Sequence, residues 1–113
     1  MTGDTVLIGH DFFQAMCDKP MTKSAQKVLF LLAEQADDRN KVAAEIAPIA
    51  REVGISHSTA TRAVATLIER DMIRALPNLM TPKAPIYFIN PWMVFRGDES
   101  LLDEALEEYD ALQ

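Results

Sequence analysis

Residues 47–73 contain two short helical patterns separated by a glycine, and this arrangement restricts the fold more than any other feature of the sequence. The second pattern starts at Ser56, a residue type favoured at helix N-caps. Apolar residues follow it at the spacing of one helix face: Ala60, Ala63, Val64, Leu67 and Ile68. The spacing predicts a helix of about 14 residues that buries this face in a core.

The first pattern, APIAREVG at residues 47–54, predicts a very short helix. Pro48 suits its first turn, and Gly54 can adopt the positive φ that the connecting turn needs. Ala50 is small where the helices would cross, and Ile55 would fill the gap between them. Two short helices in this order form the helix-turn-helix pattern. The spacing also fits a structural helical hairpin whose polar face is only solvated.

The face of the second helix opposite its apolar side carries mostly short polar side chains. Helical geometry directs these residues outward or to the flanks of that face: Ser58, Thr59, Thr61, Arg62, Ala65, Thr66 and Glu69. Hydroxyl groups at the start of a helix let it approach a DNA major groove and bond phosphates or base edges. Arg62 is the candidate for two hydrogen bonds to a guanine. His57 fits a phosphate contact, a pH-sensitive group or an exposed neutral side chain.

Two β-strands are predicted after the second helix, MIRAL at 72–76 and PIYFIN at 85–90. Together with the helices they predict an α+β, mostly helical fold, a winged helix-turn-helix with a two- or three-stranded β wing. NLMTPK at 78–83 is the expected wing tip. We expect Lys83, with Thr81, to contact the DNA backbone or the minor groove. Lys83 also fits an ordinary solvated loop lysine.

Three further segments have a recognisable pattern. DFFQAMCDK predicts a short helix capped by Asp11, which would bury Phe12, Phe13, Met16 and Cys17. The segment 22–38 predicts the longest core helix, capped by Thr22 or Ser24, with apolar residues at helical spacing: Ala25, Val28, Leu29, Leu32 and Ala36. KVAAEI at 41–46 fits a short strand.

The net charge of −6 is unevenly distributed along the chain. Residues 98–113, which predict an acidic amphipathic helix, hold seven of the 17 acidic residues and no Lys or Arg. Residues 1–97 hold the other ten acids and 11 bases, and residues 39–96 hold eight bases against four acids. We therefore expect a DNA-binding domain at 1–97, followed by an acidic C-terminal helix at 98–113. That helix fits packing on its own domain, docking of a partner protein, or competition with DNA.

The motif IAREVGISHSTATRAVATLIERDMI resembles the recognition unit of bacterial winged helix-turn-helix regulators of the MarR-like sort, over residues 23–90. IYFINPWMVFRGD at 86–98 is similar to the segment that follows the wing in RepL-type plasmid replication initiators. Both resemblances imply DNA binding through a winged helix. They imply that the DNA-facing positions are Ser56, His57, Ser58, Thr59, Thr61 and Arg62.

Composition excludes several other classes of protein. A chain of 113 residues that is 49% hydrophobic suffices for one small core. Its single cysteine, Cys17, cannot form an internal disulfide and fits a small buried apolar residue in a reducing compartment. No apolar run reaches the roughly 20 residues of a membrane span, and MTGDTVLIGHDFF lacks the features of a signal peptide. We therefore expect a cytoplasmic protein with no membrane partner.

One cysteine and two distant histidines offer no convincing metal site. The residue types and spacings of a catalytic site or a phosphate-binding glycine loop are also missing from the sequence. Neither an enzyme nor a bound cofactor is therefore expected.

The expected partners are double-stranded DNA and a second copy of the chain, because helix-turn-helix proteins usually bind as two-fold dimers. The DFFQAMC helix and the acidic helix are both candidates for the dimer surface, and Trp92, Met93 and Phe95 fit either that surface or a cover over the core. The predicted function is sequence-specific DNA binding, as a transcriptional regulator or a plasmid replication or maintenance factor. A winged-helix module that binds a protein and not DNA is the alternative, given the net charge and Glu69 on the outer helix face.

Overall fold

The computed structural model describes residues 6–112. Its helices and strands follow in this order: β1 (Leu7–Ile8), α1 (His10–Asp18), α2 (Lys23–Gln35), β2 (Lys41–Ala43), α3 (Ile46–Val53), α4 (His57–Glu69), β3 (Ile73–Leu76), β4 (Ile86–Ile89), β5 (Val94–Phe95) and α5 (Leu102–Asp110). A 3-10 turn at Glu99–Leu101 leads into α5. This arrangement is α+β and mostly helical, as predicted.

Helix α2 lies at the centre of the core, where it contacts α3, α4 and β4. The five apolar residues predicted to face inward are all buried: Ala25, Val28, Leu29, Leu32 and Ala36. The helix begins after Thr22, whose hydroxyl accepts a hydrogen bond from the backbone N–H of Ala25 at 3.2 Å. Thr22, rather than Ser24, is therefore the N-cap.

Helices α3 and α4 form the predicted pair, joined by a tight turn. Gly54 ends α3 with φ = 73°, in the left-handed region that a residue without Cβ adopts readily. The backbone N–H of Ile55 donates to the carbonyl of Ala50 at 3.0 Å. Ser56 then caps α4, because its Oγ accepts from the N–H of Thr59 at 3.1 Å. The short-range signals in the sequence thus fix this turn.

The wing is a three-stranded antiparallel sheet in the order β2-β4-β3. Side chains alternate between its two faces, so Tyr87 and Ile89 of β4 point into the helical core together with Ile73 of β3. Phe88 points to the opposite face, where Lys41 and Arg74 are its neighbours on the adjacent strands.

Helix α5 covers that opposite face of the sheet. The rings of Phe88 and Tyr109 meet edge to face with their centroids 5.1 Å apart. The guanidinium of Arg74 lies 3.9 Å from the centre of the Tyr109 ring. Two ion pairs add to this contact: Arg39 with Glu104, and Lys41 with Glu108. The acidic helix therefore packs on its own domain, which is one of the three arrangements considered for it.

Tyr109 is expected to make the folded state less stable in alkali. Burial and the hydrogen bond from its hydroxyl to Asp71 Oδ1, at 2.8 Å, raise the pKa of Tyr109 above its ordinary value of 10.0. The unfolded chain therefore loses this proton at a lower pH than the folded chain does. The stabilisation is complete below pH 10 and is lost as the pH rises toward the folded-state pKa.

Urea unfolding of the wild type and Tyr109→Phe between about pH 7 and about pH 11 tests this expectation. Tyr109→Phe should be about 1 kcal/mol less stable at neutral pH, because the bond to Asp71 is lost. Its free energy of unfolding should then fall less steeply in alkali. Tyr87, whose pKa burial also raises, remains in both proteins and contributes to the residual slope. Equal slopes in the two proteins would contradict the role assigned to Tyr109.

Several elements differ from their predicted boundaries. Helix α2 ends at Gln35 and not at residue 38, and the α-helix predicted within residues 98–113 begins only at Leu102, after a 3-10 turn. Helix α1 starts at His10 with Gly9 in the N-cap position and without a side-chain cap bond, so Asp11 is not the cap. An added Cβ on Gly9 would lie 2.2 Å from a backbone oxygen, which shows how closely the chain is packed there. Strand β2 ends at Ala43 and not at residue 46, because Glu45 already occupies the N-cap position of α3.

Three residues predicted to be buried are exposed. Phe12 is buried in α1 and Met16 packs partly against the core, but Phe13 is 58% exposed and Cys17 is also exposed. Phe13 and Cys17 form the next i, i+4 pair around the helix, and a helix that rests on the core with one side cannot bury both pairs. Ile68 lies at the edge of the apolar side of α4 and is exposed for the same reason.

The sequence did not predict the antiparallel ribbon of β1 and β5. This ribbon holds Phe95 in the interior, while Met93 packs partly against the core. Trp92 remains half exposed, and its ring N–H donates to Asp110 Oδ1 of α5 at 3.0 Å. The aromatic segment after the wing therefore covers the core and secures the acidic helix.

Candidate nucleic-acid interface

The N-terminal end of α4 presents a connected set of hydroxyl groups. Besides capping the helix, the Oγ of Ser56 lies 2.8 Å from Thr59 Oγ1 and 3.3 Å from Ser58 Oγ. Arg62 Nη2 approaches Thr59 Oγ1 at 3.5 Å. The hydroxyl of Thr61 donates to the carbonyl of His57 at 3.0 Å. These side chains are thus held in place by one another at the surface of the helix.

The structure places six sequence-predicted residues together on this part of α4. Five are exposed and Thr59 is half-buried beside them; the exposed ones are Ser56, His57, Ser58, Thr61 and Arg62. Their outward groups are hydroxyls, an imidazole and a guanidinium, and all of these can hydrogen-bond to phosphate or base edges. The other two predicted residues, Thr81 and Lys83, are also exposed but lie on a separate element, the loop between β3 and β4.

A cavity of about 280 Å³ separates this face from the start of α2. Its lining contains four hydroxyls and one guanidinium: Thr22, Ser24, Thr59, Thr66 and Arg62, together with Ala63. The backbone N–H groups at a helix start carry partial positive charge and favour anions. Hydroxyl and guanidinium groups of this kind can donate hydrogen bonds to a phosphate group. Sequence reasoning assigned Thr22 and Ser24 only to helix capping, and their position beside Arg62 depends on tertiary packing.

The side chain of Asn78 braces the wing loop. Its Nδ2 donates to the carbonyl of Ala84 at 2.8 Å, and its Oδ1 accepts from the N–H groups of Met80 and Thr81, both at 3.1 Å. The N–H of Ala84 also donates to the carbonyl of Thr81 at 2.9 Å. The loop is therefore held in one shape by its own hydrogen bonds.

The wing tip exposes two large apolar side chains. Leu79 is 91% exposed and Met80 is 93% exposed, directly beside Thr81. The sequence predicts contacts only for Thr81 and Lys83 in this loop, because polar side chains are the ones that bond phosphate.

Some of the basic residues form ion pairs in the folded chain. Three of the eight bases in residues 39–96 are engaged by carboxylates: Arg39 with Glu104, Lys41 with Glu108 and Arg74 with Asp71. Arg51, Arg62 and Lys83 are exposed and form no ion pair with any residue in 6–112. Of the bases in residues 39–96, those that are exposed and form no ion pair therefore lie on α3, α4 and the wing loop, and not on the sheet face beneath α5. Lys23 and Lys27 add exposed positive charge on α2.

Within the described part of the chain, no group of three or more His, Cys, Asp or Glu side chains is placed to hold a metal ion. Over the same residues, no helix combines the length and the apolar character needed to cross a membrane.

Comparisons with known proteins identify the fold of the chain. No family model and no curated protein matches the sequence. A point mutant of Lactococcus lactis ZitR is similar in structure, with a TM-score of 0.52 and 22% identity over 82% of this chain and 53% of its own. A MarR-family transcriptional regulator from Silicibacter pomeroyi gives a TM-score of 0.52 at 13% identity over 89% of this chain and 60% of its own.

The transcriptional regulator BldR from Sulfolobus solfataricus gives a TM-score of 0.52 at 18% identity, over 89% of this chain and 64% of its own. The chain thus spans between about half and two thirds of the length of these proteins. Similarity at these identities establishes the fold. The chain has the α+β winged helix-turn-helix fold, as the sequence predicted. A similarity to RepL-type initiators is not shown by these comparisons and stays a prediction.

Proposed function

We propose that this protein binds a specific site on double-stranded DNA as a homodimer and acts as a transcriptional regulator. The observation that carries the proposal is the exposed, mutually ordered group of hydroxyls and Arg62 at the start of α4. Within this group, only Ser56 and Thr61 hydrogen-bond to the backbone of α4. The other outward-facing groups therefore remain available to a ligand. MarR-family membership and the role of transcriptional regulator belong to structural neighbours, and they support the same function here.

In this proposal α4 enters the major groove with its N-terminal end foremost. Arg62 and the hydroxyls bond base edges, while the cavity beside the start of α2 receives a backbone phosphate. Lys83 and Thr81 contact the backbone or the minor groove from the wing. A role in plasmid replication or maintenance rests on the resemblance of residues 86–98 and would use the same surface.

Selection of bound duplexes from a random pool, followed by a salt titration of the best binder, tests the proposal. We expect an enriched inverted repeat with half-sites about 10 base pairs apart, bound with an affinity that falls steeply with salt. Absence of enrichment, together with negligible binding at low salt, would instead favour the protein-interaction module. The exposed Glu69 on α4 and the net charge of −6 are the observations that favour this second function.

We propose that the dimer forms through an aromatic cluster at α1, made of Phe12 and Phe13 with Phe30 of α2, because the other candidate helix, α5, packs on its own domain. Phe13 and Phe30 are 58% and 40% exposed, and both rings stand edge-on to Phe12 with centroids 6.2 and 6.0 Å away. Burying the exposed parts of these rings against a second copy would stabilise the dimer, by at most about 1.5–3 kcal/mol for each side chain.

Phe13→Asp is therefore expected to weaken the dimer by at least about tenfold, since it places a charge in an apolar contact. Sedimentation of the variant over a concentration series measures this. Leu112→Asp is the matched control, because Leu112 is an exposed apolar residue at the end of α5, outside the cluster. A dimer that Phe13→Asp leaves intact would place the interface elsewhere.

A further inference from the structure

The two most exposed large apolar side chains of residues 6–112 are adjacent, at the tip of the wing. We propose that Leu79 and Met80 form an apolar wedge that enters the DNA minor groove and partly unstacks one base step. The inference rests on the proposed DNA binding and adds a second recognition element to it.

The shape of the loop favours a preformed wedge. Three hydrogen bonds of the Asn78 side chain hold the backbone around Met80 and Thr81, so the tip is presented in one conformation. A large apolar side chain held in water forgoes the stabilisation that its burial would give. A loop that is braced while exposing two of them is suited to burying both in a partner. A preformed loop also loses little conformational entropy when it binds.

The surroundings of the tip identify the partner as a polyanion. The sequence contains no Asp or Glu between Asp71 and Asp98, so β3, β4 and the loop that joins them carry no acidic residue of their own. Thr81 directly follows Met80 and Lys83 lies in the same loop; both are exposed and are therefore available to contact phosphates. Leu and Met are among the side chains that minor-groove proteins insert between base pairs.

A second copy of the chain is the competing occupant of the wing tip. The exposed aromatic cluster at α1 already provides an apolar surface for self-association, and it lies on a different element. The wing instead follows α4 directly in the chain, after the short connection at residues 70–72. DNA held by α4 is therefore the partner that the observations favour.

A wedge would give the protein specificity at positions that α4 does not contact. Pyrimidine–purine steps unstack most easily, so the bound site should contain a TA or CA step where the wing meets the minor groove. Inserted side chains kink the duplex by about 20–90° toward the major groove.

The test uses the full chain and the duplex enriched from the random pool, with 2-aminopurine placed in turn at each step on the wing side and a fluorophore at each end. Wild-type protein should raise the 2-aminopurine emission at one step and shorten the end-to-end distance. The double variant Leu79→Ala, Met80→Ala should lose both signals and bind about tenfold more weakly. The exchange variant Leu79→Met, Met80→Leu keeps the apolar volume and should retain both signals.

The outcomes separate this inference from the function on which it rests. Tight binding by the wild type without unstacking or bending, or an alanine variant that keeps both, would overturn the wedge while DNA binding stands. An alanine variant that becomes monomeric, with unchanged DNA geometry, would assign the pair to contact between copies and also overturn it. If the wild type binds no duplex, the proposed function fails and the wedge fails with it.

Discussion

Asn40→Ala is expected to lower the free energy of unfolding by about 3–5 kcal/mol, because it leaves buried backbone groups without hydrogen-bond partners. Asn40 is fully buried, at 0% exposure. Its Nδ2 donates to the carbonyls of Ile89 and Val94 at 2.7 and 2.8 Å, and its Oδ1 accepts from the N–H of Arg96 at 2.9 Å. Each buried backbone group left without a partner costs about 1–3 kcal/mol.

The backbone of Asn40 adds to the cost. Its φ of 68° lies in the left-handed region, which asparagine tolerates better than alanine. Asn40→Gly is the matched control, because glycine adopts this φ freely but makes none of the three side-chain bonds. The glycine variant should be about 1 kcal/mol more stable than the alanine variant and still far less stable than wild type.

Urea unfolding followed by circular dichroism measures all three proteins. A second control is Asn78→Ala, which removes the same kind of bond from the exposed wing loop. Water can replace those partners, so the loss should be smaller there. An Asn40→Ala protein within about 1 kcal/mol of wild type would show that the buried groups find other partners.

The local signals in the sequence predicted the helix-turn-helix well. The Ser56 cap, the Gly54 turn and the buried face of α2 depend on residues within a few positions of one another. Asn40 gave no such signal, since its partners lie 49 to 56 residues away along the chain. Strands of two residues, such as β1 and β5, are likewise too short to show an alternating pattern.

The candidate site could be predicted where it depends on residues close together in the chain, and not where it depends on distant ones. Its residues on α4 follow from the period of one helix, whereas the contribution of Thr22 depends on how α2 packs beside α4. The number of Lys and Arg residues in 39–96 overestimates the basic surface of the folded chain. Arg39 and Lys41 are paired with carboxylates 65 and 67 residues away, and only the folded chain brings them together.

Arg62→Ala is expected to cost about 1–3 kcal/mol of specific DNA binding, which is roughly a 5- to 150-fold loss of affinity. Arg62 is exposed, and within residues 6–112 its side chain makes one long contact, 3.5 Å to Thr59. The variant should therefore unfold at the same urea concentration as wild type. Any loss of binding can then be attributed to the interface and not to the fold.

The selection experiment repeated with Arg62→Ala shows which group on the DNA this side chain contacts. We expect the preference at one position, most naturally a guanine, to relax while the rest of the site is retained. A uniform loss across sequences, with the salt slope reduced by about one, would assign Arg62 to a phosphate in the cavity beside α2. Arg39→Ala is the matched control, because it removes an exposed arginine that is paired with Glu104 outside the interface. Since that charge is already paired with Glu104, Arg39→Ala should leave affinity and sequence preference unchanged. If Arg62→Ala also leaves the affinity unchanged, Arg62 does not belong to the interface.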